Sequence, residues 1–160
     1  MTVSFRNVDA APGDPVRTWP FEGLVEVMER GLIGDWKPIL VEIRRDPWGA
    51  VSRKVEHWAE QSPEEPAAPF FALVIARARQ DAQEQERAEV ARRVREAINR
   101  SGLTGSEFAL HIGTSASRLS TYANGRVMPS ASMFLRIESV ADLLRGQGSP
   151  SIPVYQYAGN

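Results

Sequence analysis

The stretch SGLTGSEFALHIGTSASRLSTYANGRVMPS, residues 101–130, punctuates short apolar sets with glycines spaced too closely for one helix. Gly102 ends a helix, and Thr104 with Glu107 three residues on forms a capping box for the next. Phe108, Ala109 and Ile112 share the inward face of that helix, about eight residues long, which Gly113 closes. Ser115 caps a further helix in which Leu119 and Tyr122 make the buried stripe before Asn124 and Gly125 stop it. Pro129 and Ser130 open another, with Met133, Phe134, Ile137, Val140, Ala141 and Leu144 on its core face.

Two helices joined by a turn of about three or four residues containing glycine, with others around them, have the layout of a helix-turn-helix. From Val90 to about residue 141 the chain resembles the phage Cro and repressor-type (XRE) helix-turn-helix family. The residues that carry the likeness are VREAINRSGLTGSEFALHIGTSASRLSTYANGRVMPS, 94–130, which follow the family rhythm G-L-T, [LF]-A, [IL]-G, S-x-x-x-[IL]-S-x-[YWI], x-x-G and P-S at unbroken spacing. The resemblance implies a lambda-repressor-like domain whose recognition helix, residues 116–124, enters the major groove of double-stranded DNA. Small side chains suit that role, because the groove is only about 12 Å wide. Ser115, Ala116, Ser117, Ser120 and Thr121 then face base edges. Phosphate contacts fall to the backbone N–H groups of Thr104, Gly105 and Ser106 and those near Ser115, and to the side chains of Arg118, Asn124 and Arg126.

The chain departs from the family at two points. Gly105 stands where many members carry a phosphate-touching glutamine, and Ile98 and Ala123 stand where some carry a buried Arg–Glu pair. Replacing both charges together is physically coherent, since apolar packing is often as good as a buried pair whereas one unpaired charge is costly.

Upstream, prolines divide the chain. TWPFEGLVEVMERG suggests a helix with Thr18 as cap, Gly31 as stop, and Leu24, Val27 and Met28 on one face. DWKPILVEIRRD repeats the design with Asp35 as cap and Trp36, Ile39, Leu40 and Ile43 as its stripe. DPWGAVSRKVEHWAEQ places Asp46 at N-cap, Pro47 at N1, and Trp48, Val51, Val55, Trp58 and Ala59 together. SPEEPAAP, 62–69, reads as a turn or linker. From Phe70 to Ser101 there is neither Pro nor Gly, and Phe71, Val74 or Ile75, Ala78 and Ala82 keep a helical spacing. It fades in RQDAQEQERAE, then resumes at Val90, Val94, Ala97 and Ile98. One shared helix or two with a break near Gln80–Glu86 both fit, and continuity is favoured. VSFRNV and IPVYQY read as edge strands or tails.

The expected fold is therefore all-α: an N-terminal helical bundle (1–69), a connecting helix (70–89), the helix-turn-helix domain (90–145) and a tail (146–160). Residues 1–69 carry a net charge of −4 and residues 90–145 a net +4, so the halves are expected to meet different partners. The absence of cysteine excludes disulfides and thiol chemistry, and the longest apolar run, FFALVIA, is far short of the roughly 20 residues that cross a bilayer. A cytoplasmic protein with no membrane partner is expected. His57 and His111 are isolated, and no nucleotide, hydrolase or zinc motif occurs, so neither catalysis, metal nor cofactor is expected.

The functional expectation is a sequence-specific transcriptional regulator, a repressor acting as a bacterial homodimer. The alternative is an antitoxin that holds a toxin through residues 1–69 or the VYQY tail and represses its own operon. A third reading is an accessory factor docking on polymerase through the acidic half.

Overall fold

Prolines and glycines cut the first part of the chain into short helices, and their scarcity afterwards permits a long one. The computed structural model describes Ala11 and residues 13–147. Among these the order is a 3-10 turn (Val16–Thr18), α1 (Phe21–Arg30), α2 (Lys37–Arg45), α3 (Ala50–Gln61), α4 (Ala68–Ser101), α5 (Gly105–His111), α6 (Ala116–Ala123) and α7 (Ala131–Gln147), with no strand. The fold is all-α, with a C-terminal helix-turn-helix. VSFRNV and IPVYQY lie outside the described residues. The chain divides into two compact units between Glu84 and Gln85, so the unbroken α4 contributes a segment to each. Its exposed charged stretch, residues 83–89, spans that division.

The first unit closes over Leu24, Val27 and Met28 of α1, Ile39 and Ile43 of α2, Val51, Val55 and Trp58 of α3, and Phe71, Ile75 and Ala78 of α4. Their helical periodicity is what brings them to one side of each element. Burying an indole requires a partner for its N–H. Trp19 donates to the Asp14 carbonyl (2.9 Å), Trp36 to the Val27 carbonyl (3.0 Å) and Trp58 to Glu29 Oε1 (3.1 Å). Arg79 of α4 grips Glu56 of α3 through two nitrogens (2.6 and 2.8 Å) and also donates to the Pro47 carbonyl. That hydrogen-bonded guanidinium holds the Glu56 carboxyl below the usual carboxylate range.

Helix starts in this unit differ from the sequence expectation. Thr18 does not cap α1: its hydroxyl donates to the Pro15 carbonyl (2.7 Å) inside the 3-10 turn, and Pro20 takes the N-cap. Asp35 accepts from the Leu32 N–H (2.9 Å) in the turn before α2, whose N-cap is Trp36. Asp46 closes α2 instead of opening α3, which starts behind Gly49. Trp48 therefore sits in a loop, 41% exposed, and leaves the buried stripe. For Thr18 and Asp35 the cause is that a short polar side chain bonds its own turn as readily as the next helix's free N–H groups. Asp46 instead acts through its backbone, its N–H reaching the Glu42 carbonyl and its own carbonyl accepting from the Gly49 N–H and the Ser52 hydroxyl. The connecting helix starts at Ala68, with Pro69 accommodated in its first turn.

The second unit packs Val94 and Ala97 of α4 against Phe108 and Ala109 of α5, Ile112, Leu119 and Tyr122 of α6, and Ile137 and Ala141 of α7. Ile98 and Ala123 lie half-buried against this core, both apolar. The last helix continues to Gln147, beyond the Leu144 at which its apolar face runs out.

Candidate nucleic-acid interface

The ends of α5 and α6 decide how the motif presents itself. At the start of α5, Thr104 Oγ accepts from the Glu107 N–H (3.3 Å), and Glu107 Oε2 accepts from both the N–H (2.8 Å) and the hydroxyl (2.7 Å) of Thr104. This is the capping box that the sequence predicts. The hydroxyl and backbone hydrogen bonds from Thr104 hold the Glu107 carboxyl below the usual carboxylate range. They also occupy both donors of Thr104 and place a negative charge at that helix end, so the N–H groups of Gly105 and Ser106 are the ones left for an anion.

Both motif helices terminate alike. Gly113, at φ +72°, lets its N–H reach the Leu110 carbonyl (3.2 Å) while the Thr114 N–H reaches Ala109 (2.9 Å). Gly125, at φ +67°, does the same through Tyr122 (3.1 Å), with the Arg126 N–H reaching Thr121 (3.0 Å). Only the left-handed backbone that glycine tolerates allows this paired closure. The turn after α6 lies against α4: a side-chain carbon added at Gly125 would sit 3.5 Å from Ala91 Cβ.

Between those closures, the Ser115 hydroxyl accepts from the Arg118 N–H (3.1 Å) and caps α6. Leu119 and Tyr122 are buried, which turns the opposite side of the helix outward. Ala116, Ser117 and Ser120 are exposed and neighbours on that side, and Ser115 is exposed at the N-cap. Thr121 is half-buried, and its hydroxyl donates to the Arg118 carbonyl (2.7 Å), which leaves that oxygen able to act as an acceptor. Asn124 folds its amide back onto Ser120 Oγ (3.2 Å). Arg118 and Arg126 are exposed and enter none of the ion pairs among the described residues. Thr104 and Ser106 are exposed and Gly105 half-buried at the start of α5.

Several other arginines of this unit are engaged within the fold. Arg95 of α4 donates to the Ala123 carbonyl (2.5 Å), and Arg136 of α7 to the Ile112 carbonyl (3.2 Å), so a cation sits at the C-terminal end of each motif helix. Arg93 pairs with Glu138 and lies 4.9 Å from the Phe134 ring centroid, while Arg92 pairs with Glu89 and Glu96. The sequence reading missed these pins, whose partners lie up to 45 residues away. The positive charge of the segment is thus partly committed within the fold; among the described residues Arg118 and Arg126 beside α6, and Arg145 in the last turn of α7, are exposed and enter no ion pair.

Among the described residues there is no cluster of three or more His, Asp or Glu side chains able to hold a metal, and no helix long and apolar enough to cross a membrane. A family model described as a helix-turn-helix domain matches residues 88–150, about two-fifths of the chain. No curated protein and no solved structure matches it.

Proposed function

We propose that the protein is a sequence-specific DNA-binding transcriptional regulator of the Cro/repressor (XRE) type, a cytoplasmic repressor that binds operator DNA as a homodimer. The observation that carries this reading is the two-sidedness of α6: Leu119 and Tyr122 buried, with Ala116, Ser117 and Ser120 exposed on its other side and Ser115 exposed at its cap. A helix so trimmed can approach base edges, where serine exchanges hydrogen bonds and the methyls of Ala116 and Thr121 meet thymine methyls. Arg118, Arg126 and the N–H groups of Gly105 and Ser106 would supply the phosphate contacts that fix its register. A single such helix reads only a few base pairs, and a two-fold pair spans half-sites about 10 bp apart.

The test is selection of duplexes from a random-sequence pool, followed by footprinting and titration at several salt concentrations. The reading expects a two-fold site, a salt slope reduced by about one unit in each of Arg118→Ala and Arg126→Ala, and relaxed base preference in Thr121→Ala. Enrichment no better than bulk DNA would sink it. The antitoxin reading draws its support from Leu32, Ile33 and Leu73, large apolar side chains left exposed in the first unit. Its test is stoichiometric co-purification with a neighbouring gene product.

A further inference from the structure

The first unit contains a cavity of about 340 Å³ lined by Met28 and Glu29 of α1, Ile33 and Trp36 before α2, Glu65, Pro66 and Ala67 before α4, and Phe70. Small-molecule sites run from about 300 to 1,000 Å³, so the volume suits a ligand at the lower end of that range. Its walls are apolar, and the charged groups lining it are two carboxylates with no lysine or arginine among them. An acid-lined apolar hollow favours one kind of occupant over others: a neutral apolar molecule gains nothing from the carboxylates, and an anion is repelled by them.

The aromatic part is held in place before any ligand arrives. The Trp36 indole N–H is fixed on the Val27 carbonyl (3.0 Å), and its ring lies 5.4 Å from Phe70 at an interplanar angle of 32°, giving a continuous aromatic wall. Glu29 is likewise positioned, since its Oε1 accepts the Trp58 indole N–H (3.1 Å) and its second oxygen keeps its lone pairs. Glu65 sits on a turn closed by bonds from its own N–H to Ser62 and from the Ala68 N–H to its carbonyl, so its side chain is not needed to hold the turn. Electron-rich ring faces attract cations, most strongly tryptophan, and adjacent carboxylates add to that attraction.

We infer that this cavity is a binding site for a small organic cation, an ammonium group carried on an apolar body. The ammonium lies against Trp36 and Phe70 within reach of Glu29 and Glu65, and the body fills the hollow above Met28 and Ala67. This inference is independent of DNA binding.

The experiment titrates the full chain, without DNA, with one benzyl group in three forms: benzyltrimethylammonium, benzyl alcohol and phenylacetate. Tryptophan emission is the readout, because Trp36 is in the wall. The cation should give a saturable change with a dissociation constant of about a millimolar or tighter, the alcohol should bind at least about tenfold more weakly, and phenylacetate should not saturate. Glu65→Gln and Glu29→Gln should each weaken the cation about threefold and together about tenfold, with the alcohol unchanged. Glu29→Gln keeps an oxygen to accept the Trp58 hydrogen bond, so an unchanged thermal transition is expected in both. Trp36→Leu should abolish saturation, read by calorimetry. Equal binding of cation and alcohol, no saturable cation binding in the millimolar range, or a cation affinity indifferent to the double Gln variant would each overturn the assignment.

Discussion

Leu119→Ala would remove half of what anchors α6. That helix has eight residues and buries two side chains, Leu119 at 1% and Tyr122 at 6% exposure. Truncating a fully enclosed leucine costs about 2.7–5 kcal/mol, the larger values arising where the walls cannot collapse into the space. The cluster around Leu119 includes Phe108, Ile112 and Ile137, and the elements carrying them are tied by the Arg136–Ile112 hydrogen bond and the Arg93–Glu138 pair. Collapse is therefore restrained, and a cost of about 3–4 kcal/mol is expected. A unit of this size has about 4–11 kcal/mol of stability to lose, so the variant should fold with little margin. The assay uses an accident of composition: all four tryptophans lie between residues 19 and 58, so their emission follows the first unit while far-UV circular dichroism follows both. In urea the dichroism curve should acquire an early phase and the tryptophan curve should hold its midpoint. A cost below about 1 kcal/mol would refute the enclosure of Leu119, and an equal shift of both curves would refute the assignment of the loss to the second unit.

Gly125→Ala meets only ordinary contact distance at Ala91, so its cost is that of φ +67°, about 1–2 kcal/mol, and Gly125→Asn should cost less; dichroism melts compare them. Lowered carboxyl pKa values at Glu56, Glu89 and Glu107 contribute stability that is complete above the unfolded value of about 4.3 and lost as pH falls through the folded values. The melting temperature should accordingly hold from neutral pH to about pH 5 and drop below it, with the drop reduced in Glu56→Gln/Glu107→Gln; a melting temperature unchanged down to about pH 3 would contradict this. Glu107→Gln retains the capping geometry while removing the charge at the start of α5, and should tighten DNA binding about two- to fivefold at low salt, measured by anisotropy.

The second unit was legible because its signals are local. The capping box at Thr104, the glycines at 102, 113 and 125, and the Leu119–Tyr122 stripe each act within a few residues, and together they fix where each helix begins, ends and faces. The apolar stripes of α1 to α3 were legible for the same reason, through Leu24, Val27, Ile39, Ile43, Val51 and Val55. What escaped was decided between competing partners or across the chain. Thr18, Asp35 and Asp46 could serve a turn or the next helix, and spacing alone does not choose between them. Trp48 follows from that choice, since moving the start of α3 to Ala50 takes it off the helix. The roles of Arg95 and Arg136 depend on the fold bringing the Ala123 and Ile112 carbonyls to them, which no local spacing announces. The cavity at Trp36 and Phe70 depends on three segments meeting, which no single stretch announces.

The most direct measurement of whether the exposed side of α6 enters a duplex is the affinity of Ser117→Glu for the selected DNA site, beside the melting curve of the same variant. Ser117 is exposed and its side chain forms no hydrogen bond among the described residues, so the fold should be untouched. A carboxylate pressed into a groove flanked by phosphates should cost about a hundredfold in affinity. Undiminished binding by a normally folded Ser117→Glu protein would contradict the assignment of that surface to DNA.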